Sequence, residues 1–165
     1  MFTVGILTMS DKGSRGERVD VSGPTIRDVV TSVLECRVVK YEIVPDEKDI
    51  IAAKLAEWSD EGTVDVILTT GGTGLAARDV TPEATLSVIE KEVPGIPEAV
   101  RAGTLSKTPM AMLSRAVAGV RKKTLIINMP GSPKAVRECL EIIVPAIPHA
   151  VEIMKGVVTE HNNTK

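Results

Sequence analysis

Short apolar runs of strand character alternate with helix-spaced patterns along almost the whole chain, and this alternation restricts the fold more than any other feature. "FTVGILTM" (2–9), "RVVKYEIV" (37–44) and "VDVILTT" (64–70) read as strands, the last β-branched, apolar and ending in Gly-Gly. Between them, Ile26, Val29, Val30, Val33 and Leu34 recur at helical spacing, which predicts a helix from Pro24 to Glu35. Ile51, Leu55 and Trp58 do the same in "PDEKDIIAAKLAEWSDEG". Thr81-Pro82-Glu83 has the form of a helix start, with Thr81 as cap and Pro82 in the first turn. That helix is predicted to run to Val93-Pro94-Gly95, and "IPEAVRAGTLSK" to form another. "AVAGVRKKTLIINMPG" predicts two strands around a turn at Arg121 to Lys123. Ser132-Pro133 opens a helix with Val136, Cys139, Leu140 and Ile143 on one face, interrupted by Pro145 and Pro148 before a last turn or two to Lys155. The tail "TEHNNTK" is expected to fray.

Such βα units pack as an α/β fold, a three-layer α/β/α sandwich with a mostly parallel sheet, because each crossover lays a helix against one face. No linker or internal repeat divides the chain, so one domain is expected over 1–165. In doubly wound sheets, ligands bind beyond the carboxyl ends of the strands.

Composition narrows the partners. With 43% apolar residues but one Trp, one Tyr and one Phe in 165, the core must be aliphatic. The aromatic shortage and a net charge of −2 argue against nucleic acid as a partner. Two cysteines, Cys36 and Cys139, are too few for a metal cluster or a disulfide framework and are expected as buried thiols. "MFTVGILTMS" has no basic leader, and its apolar run is too short to span a bilayer. A cytoplasmic protein with no membrane association is the expectation.

Four polar loops, three of them glycine-bearing, fall at the carboxyl edge of the predicted sheet. "TTGGTGLAARDVTPEAT" (69–85) follows the third strand. Gly71, Gly72 and Gly74 there could bring backbone N–H groups to an anion, with Thr70 and Thr73 as hydroxyl donors, or could form only a tight turn. The loop matches neither the P-loop nor GxGxxG. Asp79 either faces the same cleft or caps the following helix. Asp46, in "YEIVPDE", follows the second strand at the same edge; two carboxylates beside an anion loop suit a divalent cation bridging them to phosphates. In "NMPGSPKA", Asn128, Pro130, Gly131 and Ser132 form a second candidate anion site at a helix start, or an ordinary strand-turn-helix joint. In "TMSDKGSRGERVDVSGP", Thr8, Ser10, Asp11 and Lys12 lie at the base of a loop longer than a plain connection needs, which could also be merely solvated.

Taken together, "TTGGTGLAARDVTPEAT", "EVPGIPEAVR", "LSRAVAGV" and "NMPGSPKAVRECL" resemble the Mog/MoaB group of molybdenum-cofactor biosynthesis proteins, the molybdopterin adenylyltransferases. "SDKGSRGERVDVSGP" and "VPDE" fit the same pattern, and the resemblance covers about residues 3 to 155. It implies a molybdopterin-binding domain, usually trimeric and hexameric in some members. It also implies transfer of AMP from Mg-ATP to the terminal phosphate of molybdopterin with release of pyrophosphate. On the resemblance, the two important aspartates match Asp46 and Asp79 and the glycine loop matches Gly71 to Gly74; that the two carboxylates hold and orient Mg²⁺ is expected from the charge of the two polyanions. Glu98 and Ser114 fall in typical stretches without an assigned role. The downstream molybdate-inserting enzyme is an expected partner. A non-catalytic molybdopterin carrier is the alternative.

Overall fold

In the computed structural model, which describes residues 1–157, six strands form a single mixed sheet. The predicted frayed tail lies outside the described residues. The strands are β1 (Phe2–Met9), β2 (Cys36–Val44), β3 (Val66–Thr70), β4 (Lys91–Glu92), β5 (Ala118–Arg121) and β6 (Thr124–Met129). Their order is β2-β1-β3-β6-β5-β4; β2, β1, β3 and β6 run parallel, β5 pairs antiparallel with β6, and β4, antiparallel to β5, runs in the direction of the first four. The helices are α1 (Asp11–Ser14), α2 (Ser22–Val33), α3 (Lys48–Asp60), α4 (Thr81–Leu86), α5 (Gly95–Leu105), α6 (Pro133–Ile143) and α7 (Ile147–Lys155).

Alternation within the strands divides the core in two. Val4, Ile6, Val66, Leu68, Leu125 and Ile127 meet Ile26 and Val30 of α2 and Val136, Cys139, Leu140 and Ile143 of α6. On the other face Leu7, Ile67 and Ile126 meet Ile51, Leu55 and Trp58 of α3 and Ala84 of α4. Because both faces are covered, the central strands carry apolar residues without a polar alternation. The aliphatic three-layer sandwich is as expected.

Several boundaries differ from the prediction. The helix opened by Thr81-Pro82 stops at Leu86, not at Val93, because the chain beyond it pairs with β5: Glu90 N donates to Val120 O and Val93 N to Ala118 O. A sheet edge thus claims backbone groups that local propensity assigned to a helix. Thr81 does not cap that helix; its hydroxyl donates to Gly71 O, back into the preceding loop. Val33 is exposed, and Cys36 is only half-buried on edge strand β2, while Cys139 is buried as expected. The polar loop after β1 contains the short α1, which the sequence did not signal.

Candidate active site

Strand order reverses beside β1: α2 leads from β1 to β2 on one side of it, while α3 carries the chain back across to β3 on the other. The loops after β1, β2, β3 and β6 therefore gather at one edge, as the sequence predicted. The loop after β3 is shaped by close approach. Gly71 adopts φ +96° and Gly72 φ +69°, and a Cβ at Gly71 would stand 2.6 Å from Met9 O. A Cβ at Gly72 would collide with Thr81 Oγ1 and lie 3.3 Å from Asp46 Oδ1; one at Gly74 would be 2.8 Å from Asp79 Oδ2. Both carboxylates thus lie directly against the glycine loop.

The loop's carbonyls are all engaged inward. Gly71 O accepts from Thr81 Oγ1, Gly72 O from Thr81 N, Thr73 O from Arg115 N and Gly74 O from Arg115 Nε. Its amides are not: the N–H groups of Gly72, Thr73 and Gly74 donate to no acceptor among the described residues. The "NMPGS" turn repeats this arrangement. Met129 O accepts from Gly71 N, Pro130 O from Thr70 Oγ1 and Gly131 O from Ser22 Oγ, while the amides of Gly131 and Ser132 have no protein acceptor among the described residues. Two loops whose carbonyls are bonded within the protein and whose amides lack a protein acceptor leave a set of unused donors, the chemistry that can hold an anion.

The acids form a graded set. Asp46 Oδ2 accepts from Asp11 N and Asp11 Oδ1 from Asp46 N, both at 3.0 Å, joining the first loop to the end of β2. Burial pushes the Asp46 carboxyl above its ordinary value, aided by the charges of Asp11 and Asp79 and opposed by the Asp11 N–H and by Arg78. The Arg78 guanidinium, bonded to Asp11 and to Glu47 Oε1 at 2.8 Å, holds the Asp11 carboxyl low. Asp79 Oδ2 accepts from Ala76 N at 2.9 Å, so this carboxylate faces the glycine loop and does not cap α4. Among the described residues no three His, Cys, Asp or Glu side chains form a group fit to hold a metal unaided. Asp46 and Asp79 offer hard oxygen donors beside anion-holding amides, which fits a divalent ion that arrives with phosphate oxygens of its own.

Two cavities flank the glycine loop. One, of about 510 Å³, is the more polar of the two and is lined by Thr8, Ser10, Asp20, Ser22, Gly71 and Ser132 among others. The other, of about 490 Å³, is apolar and bounded by Thr73, Gly74, Ile96, Val100, Leu113 and Ser114 among others. Not every candidate faces them as a free ligand group. Asn128 is buried, donating Nδ2 to Thr69 Oγ1 and Thr85 Oγ1, while its Oδ1 accepts from Val117 N; its side chain ties β6, β3 and α4 together. Ser10 and Ser132 cap α1 and α6. Glu98 is exposed in the first turn of α5 and lines neither cavity. Conversely, the sequence did not single out Asp20, whose carboxylate accepts from Thr8 Oγ1, Tyr41 OH, Ser22 N and Gly23 N. Nor did it single out Arg78 or Arg115, since nothing local distinguishes a loop arginine with distant partners from a solvated one.

Known proteins resemble this chain over most of its length. A family model described as "Probable molybdopterin binding domain" matches residues 5–149. The chain is 47% identical over 154 residues to a protein of Helicobacter pylori named molybdopterin adenylyltransferase, covering 93% of this chain and 88% of that one. The protein of that name from Escherichia coli K12 is 38% identical over 170 residues, covering 95% and 87%. The crystal structure of the molybdopterin biosynthesis enzyme MoaB from Thermus thermophilus superimposes with a TM-score of 0.88 at 54% identity, over 94% of this chain and 98% of that one. This chain belongs to the molybdopterin-binding domain family of molybdenum cofactor biosynthesis.

Proposed function

We propose that the chain is a molybdopterin adenylyltransferase, transferring AMP from Mg-ATP to the terminal phosphate of molybdopterin. A phosphate oxygen of molybdopterin attacks the α-phosphorus of ATP, the bond from that phosphorus to the bridging oxygen breaks, and pyrophosphate leaves. The nucleophile is already anionic, so no strong base is required; the difficulty is bringing two polyanions together. The free amides of Gly72, Thr73 and Gly74 donate to phosphate oxygens of one substrate. Those of Gly131 and Ser132, in the polar cavity, serve the other. Asp46 and Asp79 would hold Mg²⁺, which when bound neutralises and orients the phosphates.

The observation that carries this reading is the pair of loops whose carbonyls are bonded while their amides lack a protein acceptor among the described residues, with two carboxylates set against the first. Its test is pyrophosphate release by the purified protein from molybdopterin and Mg-ATP. Asp79→Asn is expected to keep the melting temperature and lose most turnover; wild-type rates in that variant would refute the role. A protein that binds the pterin but releases no pyrophosphate would instead be a carrier. We further expect a trimer by light scattering, and a monomer mass would contradict it. Among the described residues no helix is long and apolar enough to cross a membrane, and the reading places the protein in the cytoplasm beside a molybdate-inserting partner.

A further inference from the structure

The segment that presents Asp79 has little packing of its own. Leu75, Ala76, Ala77 and Arg78 are all exposed, and its internal bonds are local: Asp79 N to Ala76 O, and Ala76 N to Asp79 Oδ2. Local bonds fix the shape of a turn but not its place on the domain. Placement comes from guanidinium groups. Arg78 ties the tip to Asp11 and Glu47. Arg115 ties the base: Nε donates to Gly74 O at 2.8 Å, Nη2 donates to Asp79 O at 2.6 Å, and Nη1 pairs with the Glu83 carboxylate in α4. Arg115 N also donates to Thr73 O.

Those acceptors stand on both sides of the exposed turn, so one rigid fork spans its entry and exit. Its own backbone is fixed from behind, because Arg101 of α5 donates Nη1 to the carbonyls of Ser114 and Ala116, the residues flanking Arg115. The planar guanidinium can meet three acceptors in set directions, which a lysine ammonium on a flexible stem does not reproduce.

We propose that Arg115 is a positioning residue, its guanidinium setting where the Asp79 carboxylate stands by holding the backbone at Gly74 and Asp79. It touches no reacting atom. The consequence for turnover rests on the adenylyl-transfer reading above, but the clamp itself can be measured without it.

The test compares Arg115→Lys, which keeps the charge and the main-chain bond to Thr73, with Arg115→Ala. Trypsin cleavage after Arg78 in the native protein, followed by mass spectrometry, reads the mobility of the turn. It is expected to rise at least ~10-fold in both variants, with cleavage after Arg18 in the first loop unchanged. Pyrophosphate release is expected to fall ~10–100-fold in kcat, with a higher Mg²⁺ concentration at half-maximal rate. Added guanidinium ion at millimolar concentration should recover several-fold of that loss in Arg115→Ala, and methylammonium should not. Unchanged cleavage after Arg78 in a folded Arg115→Lys protein would overturn the proposal. So would wild-type kcat and Mg²⁺ dependence in that variant alongside an active parent. Faster cleavage in the variants of a parent that releases no pyrophosphate would uphold the clamp and refute only the enzymatic reading.

Discussion

Gly72 couples the fold to the candidate chemistry, so Gly72→Ala tests both. At φ +69° an L-residue costs about 1–2 kcal/mol. The new methyl would also collide with the hydroxyl of Thr81, a fully buried residue that cannot withdraw, adding about 1–3 kcal/mol of overpacking. A total near 2–5 kcal/mol should lower the urea midpoint by about 1–2 M. Thr81→Ala alone removes the partner of Gly71 O and should cost about 1–3 kcal/mol. In the double variant the collision with the hydroxyl is gone, leaving only a close contact with the residue 81 Cβ, so its loss should fall short of the sum by about 1–3 kcal/mol, outside the error of a double-mutant cycle. Activity should behave differently. The methyl still stands 3.3 Å from Asp46 Oδ1 when Thr81 is Ala, so pyrophosphate release should stay low in the double variant although stability partly returns. Additivity within ~0.5 kcal/mol would refute the collision. Recovery of activity together with stability would refute the claim that Gly72 is needed to leave room beside Asp46.

Other consequences follow from the electrostatics. Burial raises the Asp46 carboxyl above its unfolded value, so this group favours the folded state below the ordinary carboxylate range and loses that as pH rises through the folded value. Asp46→Asn should therefore melt at or above the wild-type temperature at pH 7, with the gap closing below pH ~4, while adenylyl transfer falls about 100-fold or more. Asp60 has the opposite sign: Arg121 and Lys122 hold its carboxyl down to about 2, so its contribution is present above the ordinary value and lost as pH falls through the folded one. Arg121→Met should accordingly lower the melting temperature at pH 6, and the deficit should shrink below pH ~3. Burial pushes the Cys139 thiol up to about 12, so it should resist a disulfide reagent at pH 8 until the protein is unfolded; rapid reaction in the native state would show that α6 does not bury it.

Elements with strong periodicity were legible. Ile26 and Val30, Ile51, Leu55 and Trp58, and Val136 through Ile143 pack as their spacing requires. Asp46 and Asp79 could be paired from sequence because each follows a strand end, and parallel strands deliver their carboxyl ends to one edge. Val88 to Val93 misled the reading, since its fate depended on β5, nearly 30 residues later. Asn128 was only partly legible: a polar residue at a strand end has the same local signature whether its side chain is free or, as here, bonded to three internal partners at the wall of the apolar cavity.

The sequence by itself determined the layers, the aliphatic core and the four loops at one edge, because hydrophobic period and glycine placement are local properties of the chain. Tertiary structure alone decided which loop groups are consumed and which remain free. Thr81, Ser22 and Arg115 take the carbonyls of the two loops from 10, 109 and 41 residues away respectively. A backbone amide becomes an anion donor only when distant partners orient its peptide, and no local pattern records that.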